Sequence, residues 1–384
     1  MSRLVVVEDL AGPSVAGRGG FAMHVLQILE GLRRLGHDVL FLEFLEGPPD
    51  PTALHYLGEV LRGRWEPRRA AVLDAASGAS YAGPSSEEVS AFAAGADAVI
   101  SLAAHYRREP WPLLAEIRPR ILIEQDPGYT HLWAADGDPL DIFGEHDMHF
   151  TVGANVGTPR SPIPTSGIGW RPLWPPTILD WWKPTAHVER DRFTTVGAWR
   201  DYGYLELDGA ILGPKVEEFR KFIDLPRCAG EEIELTLAID RDDPDRELLR
   251  ENGWRLEEPE LVATPDRYHS YVSGSLGEFS CAKGGYVGTL SGWFSDRSAC
   301  YLAAGRPVVL QATGFEDLLP TGAGAFAVSD VSEAVAAMAE IRADYGRHSR
   351  AARKLACEFF DAERLLGSML AETGLPPRGK SGAP

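Results

Sequence analysis

The chain has 384 residues, which is enough for two domains of ordinary size. A hydrophobic content of 44% and a charged content of 24% are typical of a globular protein that buries substantial cores. The formal net charge of −18 argues against nucleic acid or an anionic membrane as a partner, because most of the surface would repel either one.

The distribution of cysteine and of apolar residues indicates the cellular compartment in which the protein is expected. The four Cys residues are scattered, without a C-x-x-C pair and without a zinc-like pairing with His. The first apolar run is short and meets Glu8 and Asp9 at once, unlike a signal peptide. No run of about 18 apolar residues occurs. We therefore expect a cytoplasmic protein with free thiols and without integral membrane association.

The first half of the chain has the pattern of a doubly wound α/β sheet. Leu4 to Val7 is a short apolar run, typical of a buried parallel strand. A small-residue loop ending at Gly19-Gly20 leads into a helix with apolar residues at helical spacing, and a second strand follows. Runs at residues 98–102, 121–123 and 146–153 predict further strands. The G-x-G-x-x-G fingerprint is not met, which disfavours a dehydrogenase.

Polar side chains follow two of these predicted strands. His105 lies beyond the first, and Glu124, Asp126 and His131 lie at or beyond the end of the second. Ligands of open α/β sheets bind at the carboxyl ends of strands, so these residues are candidates for acceptor binding or acid–base catalysis. Asp126 is preferred because Pro127 restricts the backbone next to it.

The sequence predicts no metal site and no cofactor. His146, Asp147 and His149 lie close together along a predicted strand. However, no pair among them has the i, i+4 spacing of a helical metal motif with a third ligand.

A proline-rich crossing from Pro159 to Pro184 separates the two halves of the chain. It holds four of the ten Trp residues, whose rings must be buried, and a domain seam is the expected place. We therefore predict one domain over residues 1–180 and a second over residues 181–365. Residues 366–384 are predicted to form the end of the last helix and a disordered tail.

The second half repeats the strand–loop–helix pattern. Thr194 to Gly197 is a predicted strand that is followed closely by Arg200, and Lys215 begins a predicted helix. The alternating residues from Ile233 to Ile239 predict another strand, which runs into an acidic turn. The turn is expected to be solvated.

The most informative stretch runs from Glu278 to Phe315. A turn-rich polar loop leads to Ser295 or Asp296, either of which can cap the N-terminus of a helix. The helix is expected to end at Gly305, and a buried strand then follows. A helix N-terminus with Ser, Asp and Arg side chains is suited to bind an anion, most often phosphate.

The order of polar loop, helix, Gly305-x-Pro307-Val-Val and Thr-Gly-Phe turn resembles the donor-binding half of GT-B glycosyltransferases. The Gly19-Gly20 loop, His24 on the next helix and the turn at Gly36-His37 are similar to the opening of retaining members, and favour the glycogen-synthase-like branch. The resemblance implies an α/β protein with two Rossmann-like doubly wound domains facing a cleft. Residues 1–180 would bind the acceptor and residues 181–365 the nucleotide sugar.

The resemblance also implies which residues contact the donor. In that family the N-terminus of the helix faces the diphosphate of the nucleotide sugar. The implied donor-binding residues are Gly19, Gly20, Arg200, Lys215, Glu278, Ser295, Asp296, Arg297 and Ser298. Retaining members carry a Glu five residues before the Gly of the Gly-x-Pro turn, whereas this chain has Cys300 there.

The activity implied by the resemblance is transfer of a sugar from a nucleotide-diphosphate donor to a small-molecule or glycan acceptor, without a metal ion. The candidate catalytic residues are Asp126, His24 and His105, any of which could serve as the general base of an inverting reaction. Two alternatives stay open. One is a nucleotide-sugar epimerase on the same fold, and the other is a non-catalytic GT-B-like binding protein, which the Cys300 departure favours.

Overall fold

The computed structural model describes residues 1–102, 109–200 and 202–375. Each half of the chain contains a sheet with apolar clusters on both of its faces. The strands of the first half are β1 (Arg3–Val7), β2 (Asp38–Leu45), β3 (Ala70–Asp74), β4 (Ser80–Ala82), β5 (Ala98–Ser101), β6 (Arg120–Glu124), β7 (Met148–Thr151) and β8 (Arg171–Pro172). Its helices are α1 (Gly19–Arg34), α2 (Pro51–Leu61), α3 (Ser86–Ala93), α4 (Tyr129–Asp136) and α5 (Pro139–Phe143).

The second half holds the remaining elements. Its strands are β9 (Arg190–Ala198), β10 (Leu205–Leu207), β11 (Ala210–Leu212), β12 (Ile233–Ala238), β13 (Trp254–Glu257), β14 (Ser275–Ser280), β15 (Val308–Gln311) and β16 (Ala325–Val328). Its helices are α6 (Lys215–Arg220), α7 (Leu225–Ala229), α8 (Asp245–Glu251), α9 (Pro265–Gly274), α10 (Gly284–Gly288), α11 (Asp296–Ala303), α12 (Val331–Ala343), α13 (Tyr345–Phe359) and α14 (Ala362–Glu372). Within the described ranges, no helix is long and apolar enough to cross a membrane.

The first sheet has the strand order β4-β3-β2-β1-β5-β6-β7-β8. Its neighbours pair in parallel except for β3 and β4. The chain reverses its winding direction between β1 and β5, and crevices at such switch points bind ligands in open α/β folds. The strands predicted at residues 98–102, 121–123 and 146–153 are confirmed as β5, β6 and β7.

The second sheet has the order β13-β12-β9-β14-β15-β16, and all of its neighbours pair in parallel. Counted along the chain, this is the doubly wound order of a dinucleotide-binding fold, with its switch between β9 and β14. Two Rossmann-like sheets are therefore present, which confirms the predicted fold class.

A β-hairpin is inserted between β9 and α6. Strands β10 and β11 pair in antiparallel register, and the turn between them is Asp208-Gly209, with φ angles of 49° and 80°. Positive φ at both central residues is the signature of a type I′ turn, which matches the twist of a hairpin. Leu205 and Leu212 of the hairpin pack against Tyr129 of the first half. The hairpin thus reaches from the second sheet to the first half of the chain.

The tryptophan-rich crossing contributes to the seam between the two halves. Trp182 is fully buried, and its indole N–H donates to Gln27 Oε1 at 2.8 Å. Trp174 meets the rings of Phe294 and Phe360 edge-on, and these two rings stack on each other. Trp170 differs, because its ring packs against Phe143 and His149 of the first half, edge to face. The seam prediction is therefore confirmed for part of this segment.

The last helix returns to the first half. Leu366 and Leu370 of α14 are buried in the same apolar cluster as residues of α1, and a side chain at Gly31 would collide with Leu366. The division into residues 1–180, 181–365 and 366–384 stays a proposal, and α14 packs away from the second sheet.

Candidate functional site

The N-terminus of α11 lies at the carboxyl ends of β14 and β15. Ser295 caps the helix, since its hydroxyl accepts from the backbone N–H of Arg297 at 3.2 Å. The helix ends at Ala303, and Gly305 follows with a φ of 71°, the left-handed conformation of a C-terminal cap. The predicted cap and stop are therefore confirmed.

A small cavity opens at this helix N-terminus. Its volume is about 10 Å³, and it is lined by Ser280, Cys281, Ala282, Trp293, Phe294, Ser295, Arg297, Ser298, Leu310, Gln311 and Phe315. The Ser298 side chain is fully buried, and its hydroxyl has no hydrogen-bond partner among the described residues. A buried polar group without a partner is costly, which marks Ser298 as a group suited to a polar ligand.

Arg297 is engaged by the protein itself. Its guanidinium forms an ion pair with Glu278, which is completely buried in β14. It also donates to the carbonyl of Val196 at 2.6 Å and to the hydroxyl of Ser280 at 2.6 Å. The structure thus brings the predicted residues Glu278 and Arg297 together, but it joins them to each other. These contacts hold Arg297 in the wall of the cavity, which Ser280 also lines.

His24 projects from α1 toward the same region. It is 4% exposed, and neither ring nitrogen has a hydrogen-bond partner within the described ranges. Burial lowers the pKa of His24, while the charge of Asp296 and the amide of Gln125 act in the opposite direction. The structure therefore places the predicted residues His24 and Asp296 near one another across the seam, with the imidazole neutral at pH 7.

Gly19 and Gly20 allow the two halves to approach closely. A Cβ on Gly19 would overlap the carbonyl oxygens of Val262 and Thr264, and a Cβ on Gly20 would lie 3.0 Å from the ring of Tyr268. A glycine is needed wherever backbones pack this tightly. In this structure Gly19 lies against the backbone that precedes α9, and Gly20 lies against the side chain of Tyr268 in α9.

The two predicted basic residues lie in different surroundings. Lys215 begins α6, is 7% exposed, and its Nζ lies near Gly197 at the end of β9. Arg200 forms ion pairs with Asp243 at 2.7 Å and Asp245 at 2.6 Å, and its side chain is half exposed. Lys215 therefore stands at the carboxyl end of β9, whereas Arg200 is held by two carboxylates.

Asp126 contacts the second half of the chain directly. Its carboxylate lies 2.8 Å from Lys283 Nζ and accepts from the hydroxyls of Tyr202, at 2.8 Å, and Tyr286. Burial raises the pKa of Asp126, but Lys283 and the two hydroxyls outweigh it and leave the pKa below its ordinary value. The other candidate catalytic residue, His105, lies outside the described residues.

Two further candidates at the end of β6 are buried. Glu124 is completely buried and accepts from Thr130 at 2.8 Å and Thr151 at 2.7 Å, and burial raises its pKa to about 7. His131 is also completely buried, and burial lowers its pKa to about 3. Glu124 supports the loop that carries Asp126, because it also accepts from the backbone N–H of Asp126, whereas His131 packs against the rings of Phe143 and Trp170.

Sequence reasoning missed Lys283, Tyr202 and Tyr286. Lys283 follows β14, so the strand-end rule that singled out Arg200 also applies to it. The two tyrosines carry no such signal, since their hydroxyls meet Asp126 only after the halves of the chain come together. In the part of the chain that the structure describes, no group of three or more His, Cys, Asp or Glu side chains is placed to hold a metal ion.

Comparison with solved structures identifies proteins of the same fold. An alpha-glucosyltransferase in complex with UDP and a 13-mer DNA containing a central A:G mismatch has a TM-score of 0.60 and 12% identity, over 97% of this chain and 100% of that one. Sucrose-phosphate synthase from Thermosynechococcus elongatus has a TM-score of 0.57 and 13% identity, over 97% and 99%. Anabaena HepE in complex with UDP and glucose has a TM-score of 0.56 and 12% identity, over 97% and 100%.

No protein-family profile and no curated protein matches the chain by sequence. The structural similarity extends over nearly the whole chain and includes both sheets. Identities of this size show the fold alone. The chain has the GT-B fold of two Rossmann-like domains.

Proposed function

We propose that the protein is a glycosyltransferase that moves a sugar from a uridine diphosphate donor to a small-molecule or glycan acceptor. The observation that carries this proposal is the buried hydroxyl of Ser298, which has no hydrogen-bond partner in the described parts of the chain and lies at a helix N-terminus at the strand ends of a GT-B fold. The uridine nucleotide is taken from the similar structures, which are complexes with UDP or UDP-glucose.

The chemistry of the site supports departure of a diphosphate. The free backbone N–H groups in the first turn of α11 and the helix dipole favour negative charge at this point. Lys215 at the end of β9 would add a point charge. Such groups stabilise charge that develops on a leaving group, which is the role of a divalent cation in other transferases. We therefore propose a metal-independent reaction.

His24 is the proposed catalytic contact in the first half. Its neutral imidazole can accept a proton or donate one hydrogen bond, and it faces the N-terminus of α11 near Asp296. Retention of anomeric configuration is part of the proposal, on the resemblance of the Gly19-Gly20 loop. Nuclear magnetic resonance of the anomeric proton of the product distinguishes retention from inversion.

The proposed acceptor is not a nucleic acid. One similar structure is a complex with DNA, but the net charge of −18 of this chain would repel a polyanion. We place the reaction in the cytoplasm, which fits four unpaired thiols.

A thermal-shift panel of UDP, UDP-glucose and other nucleotide sugars tests the donor site. A ligand that binds only the native state at about 100 times its Kd stabilises it by about 2.7 kcal/mol, which raises the melting temperature. Ser298→Ala should reduce this shift. Ser90→Ala is the matched control, because Ser90 is an exposed helical serine of α3. A shift that is equal in wild type and Ser298→Ala would exclude this donor site.

Product analysis separates the alternatives. Incubation with labelled UDP-glucose should yield UDP and a glycosylated or hydrolysed product. Recovery of an epimerised nucleotide sugar would instead identify an epimerase. Binding of UDP-glucose without any turnover across a panel of acceptors would favour a non-catalytic binding protein.

A further inference from the structure

A cavity of about 600 Å³ lies in the first half of the chain, against the face of the sheet that α3 covers. Its wall includes the buried side chains of Leu40 in β2 and Val89 in α3. Phe92, Pro67 and Pro84 add further apolar surface. Pockets that bind small molecules usually have volumes of about 300 to 1,000 Å³. The cavity is therefore large enough for a small organic molecule.

The position of this cavity separates it from the proposed donor site. Arg69 lines the cavity, directly precedes β3 and pairs with Asp38, the first residue of β2. Since β2 and β3 are parallel, these residues mark the amino-terminal edge of the first sheet. The N-terminus of α11 lies instead at strand ends of the second sheet. A ligand in this cavity is therefore a different molecule from the donor.

Two consecutive arginines line the cavity. Arg68 is 81% exposed, and its Nε donates at 2.8 Å to Glu66, which is 61% exposed. An ion pair between two exposed side chains contributes little to stability, so the anion of a ligand can replace Glu66 at a low cost. The guanidinium also carries N–H groups that this bond does not use. Arg68 is thus suited to bind a second anionic group.

The neighbouring guanidinium of Arg69 is held in place beside an aromatic ring. Its Cζ lies 5.6 Å from the ring centre of Phe92, and Cζ of Arg3 lies 5.8 Å from the same centre. Asp38 pairs with Arg69 at 2.8 Å and with Arg3 at 3.9 Å. Cation–π contacts and ion pairs together restrict the position of Arg69. A ligand therefore loses little freedom of this side chain on binding.

The distribution of charge favours an anion at the arginine side of the cavity. Glu88 also lines the cavity, but its carboxylate accepts from the backbone N–H of Ser85 at 2.8 Å and from the Ser85 hydroxyl at 2.9 Å, as part of the cap of α3. Residues 62–69 contain four arginines and a single acid, Glu66, in a chain with a net charge of −18. The arginines thus form a local basic surface.

We propose that this cavity binds a small aromatic anion, whose acidic group contacts Arg68 and Arg69 and whose ring packs against Phe92 and Val89. A carboxylate, a sulfonate and a phosphate share the required chemistry, because each presents oxygens that match the fork of a guanidinium. The proposal is independent of the proposed transferase reaction, since no residue of the donor site takes part in it.

Fluorescence titration of the full chain with anilinonaphthalene sulfonate tests the site, because this dye joins a sulfonate to aromatic rings. We expect saturable binding that also raises the melting temperature, which shows that the dye binds the native state. Phenylnaphthylamine is the matched ligand control, since it has the same rings without the sulfonate. It should bind roughly tenfold more weakly, because it lacks the charge-assisted hydrogen bonds to the arginines.

Substitutions locate the dye within the cavity. Arg68→Ala should weaken its binding about tenfold, and Arg68→Lys, which keeps the charge, should weaken it less. Phe92→Leu removes the ring but stays apolar, and it should also weaken binding. Arg62→Ala is the matched control, because Arg62 is 71% exposed in the same segment, pairs with Glu59 and does not line the cavity. Equal affinities in wild type, Arg68→Ala and Phe92→Leu would overturn the proposal.

Competition distinguishes this site from other binding surfaces. UDP should leave the dye bound, whereas displacement of the dye by UDP would place it in the donor site and overturn the proposal. Sedimentation with phosphatidylglycerol vesicles that depends on Arg68, without binding of the dye, would identify a membrane contact instead. A chain that binds the dye through Arg68 but binds no uridine nucleotide would disprove the transferase alone.

Discussion

The thiol of Cys300 accepts a hydrogen bond from the side-chain amide of Gln27, with 3.6 Å between Sγ and Nε2, and this contact ties α11 to α1. Cys300 is 2% exposed and packs in the same apolar cluster as Tyr268 and Met23. It does not line the cavity that Ser298 lines. Retaining glycosyltransferases of the resembling family carry a Glu at the position of Cys300. In this chain the residue at that position instead packs between two helices.

Cys300→Glu should destabilise the protein rather than supply a missing acid. The new carboxylate would be buried beside Gln27 without a counter-ion, which costs about 3 kcal/mol or more. Cys300→Ala loses only a small side chain and should cost about 1 kcal/mol. Urea denaturation measures both. Cys357→Glu is the control, since Cys357 is exposed, and it should stay within about 0.5 kcal/mol of wild type. Equal stability of Cys300→Glu and wild type would contradict the packing role.

Gln27→Ala should weaken the joint between α1 and the crossing segment. Gln27 Oε1 accepts from the backbone N–H of Ile178 at 3.1 Å and from the indole of Trp182 at 2.8 Å. Each buried donor left without an acceptor costs about 1–3 kcal/mol. Because two donors are affected, the free energy of unfolding should fall by roughly 2–6 kcal/mol. Trp182→Phe removes one donor, so the double variant should be less destabilised than the sum of the two single changes.

The fold could be predicted because its signals are local. The buried run from Leu4 to Val7, the cap at Ser295 and the stop at Gly305 each specify an element from neighbouring residues. The β10–β11 hairpin between Arg200 and Lys215 likewise has a local signal, because its turn is formed by Asp208 and Gly209. Strand order then follows from the alternation of strands and helices, which favours a doubly wound sheet.

The partners of the site residues could not be predicted, because they come from distant parts of the chain. Asp126 and Lys283 are 157 residues apart in sequence, and no spacing rule connects them. The acidic turn after β12 is expected to be solvated, but Asp245 is 3% exposed and accepts from Arg200 and Trp199. Side-chain direction and the packing of one half against the other decide such contacts, and both arise only in the tertiary structure.

Arg297→Ala should lower the stability of the protein even when no ligand is bound. Glu278 is completely buried, and removal of its guanidinium partner leaves a buried charge, which costs about 3–5 kcal/mol. The double change Arg297→Met with Glu278→Leu should recover much of this loss, because no charge is then buried. Thermal denaturation compares the three proteins. If Arg297→Ala melted like wild type, the ion pair would not be a stabilising contact.

Gly19→Ala should push the two halves of the chain apart. The added Cβ would overlap backbone oxygens of Val262 and Thr264, which cannot rotate away as a side chain can. We expect a loss of roughly 1–3 kcal/mol, the usual cost of overpacking, and a lower melting temperature. Gly203→Ala is the control, because nothing lies within 4 Å of its Cβ position. Equal loss in both variants would mean that close packing at Gly19 is not responsible.

A pair of buried carboxyl groups lies at the carboxyl end of the first sheet. Glu8 is 5% exposed, and Glu43 is completely buried. Glu8 Oε1 accepts from the backbone N–H of Asp9 at 2.9 Å, while Oε2 has no partner among the described residues. Burial, with smaller contributions from the charges of Asp9 and Glu43, raises the pKa of Glu8 to about 8. Burial likewise raises the pKa of Glu43 to about 7.

The raised pKa of Glu8 predicts that stability falls as the pH rises from about 5 to about 8. In this range the folded carboxyl keeps its proton and the unfolded one, with a pKa of 4.5, has lost it. The unfolded state thus binds fewer protons, and the free energy of unfolding decreases with pH by a few kcal/mol, flattening above about 8. In Glu8→Gln the side chain is neutral at every pH, so the melting temperature should decrease much less with pH than it does in wild type. Glu87→Gln is the control, because Glu87 is exposed on α3, and its melting temperature should decrease with pH as in wild type. Parallel slopes in wild type and Glu8→Gln would show that Glu8 ionises freely in the folded protein.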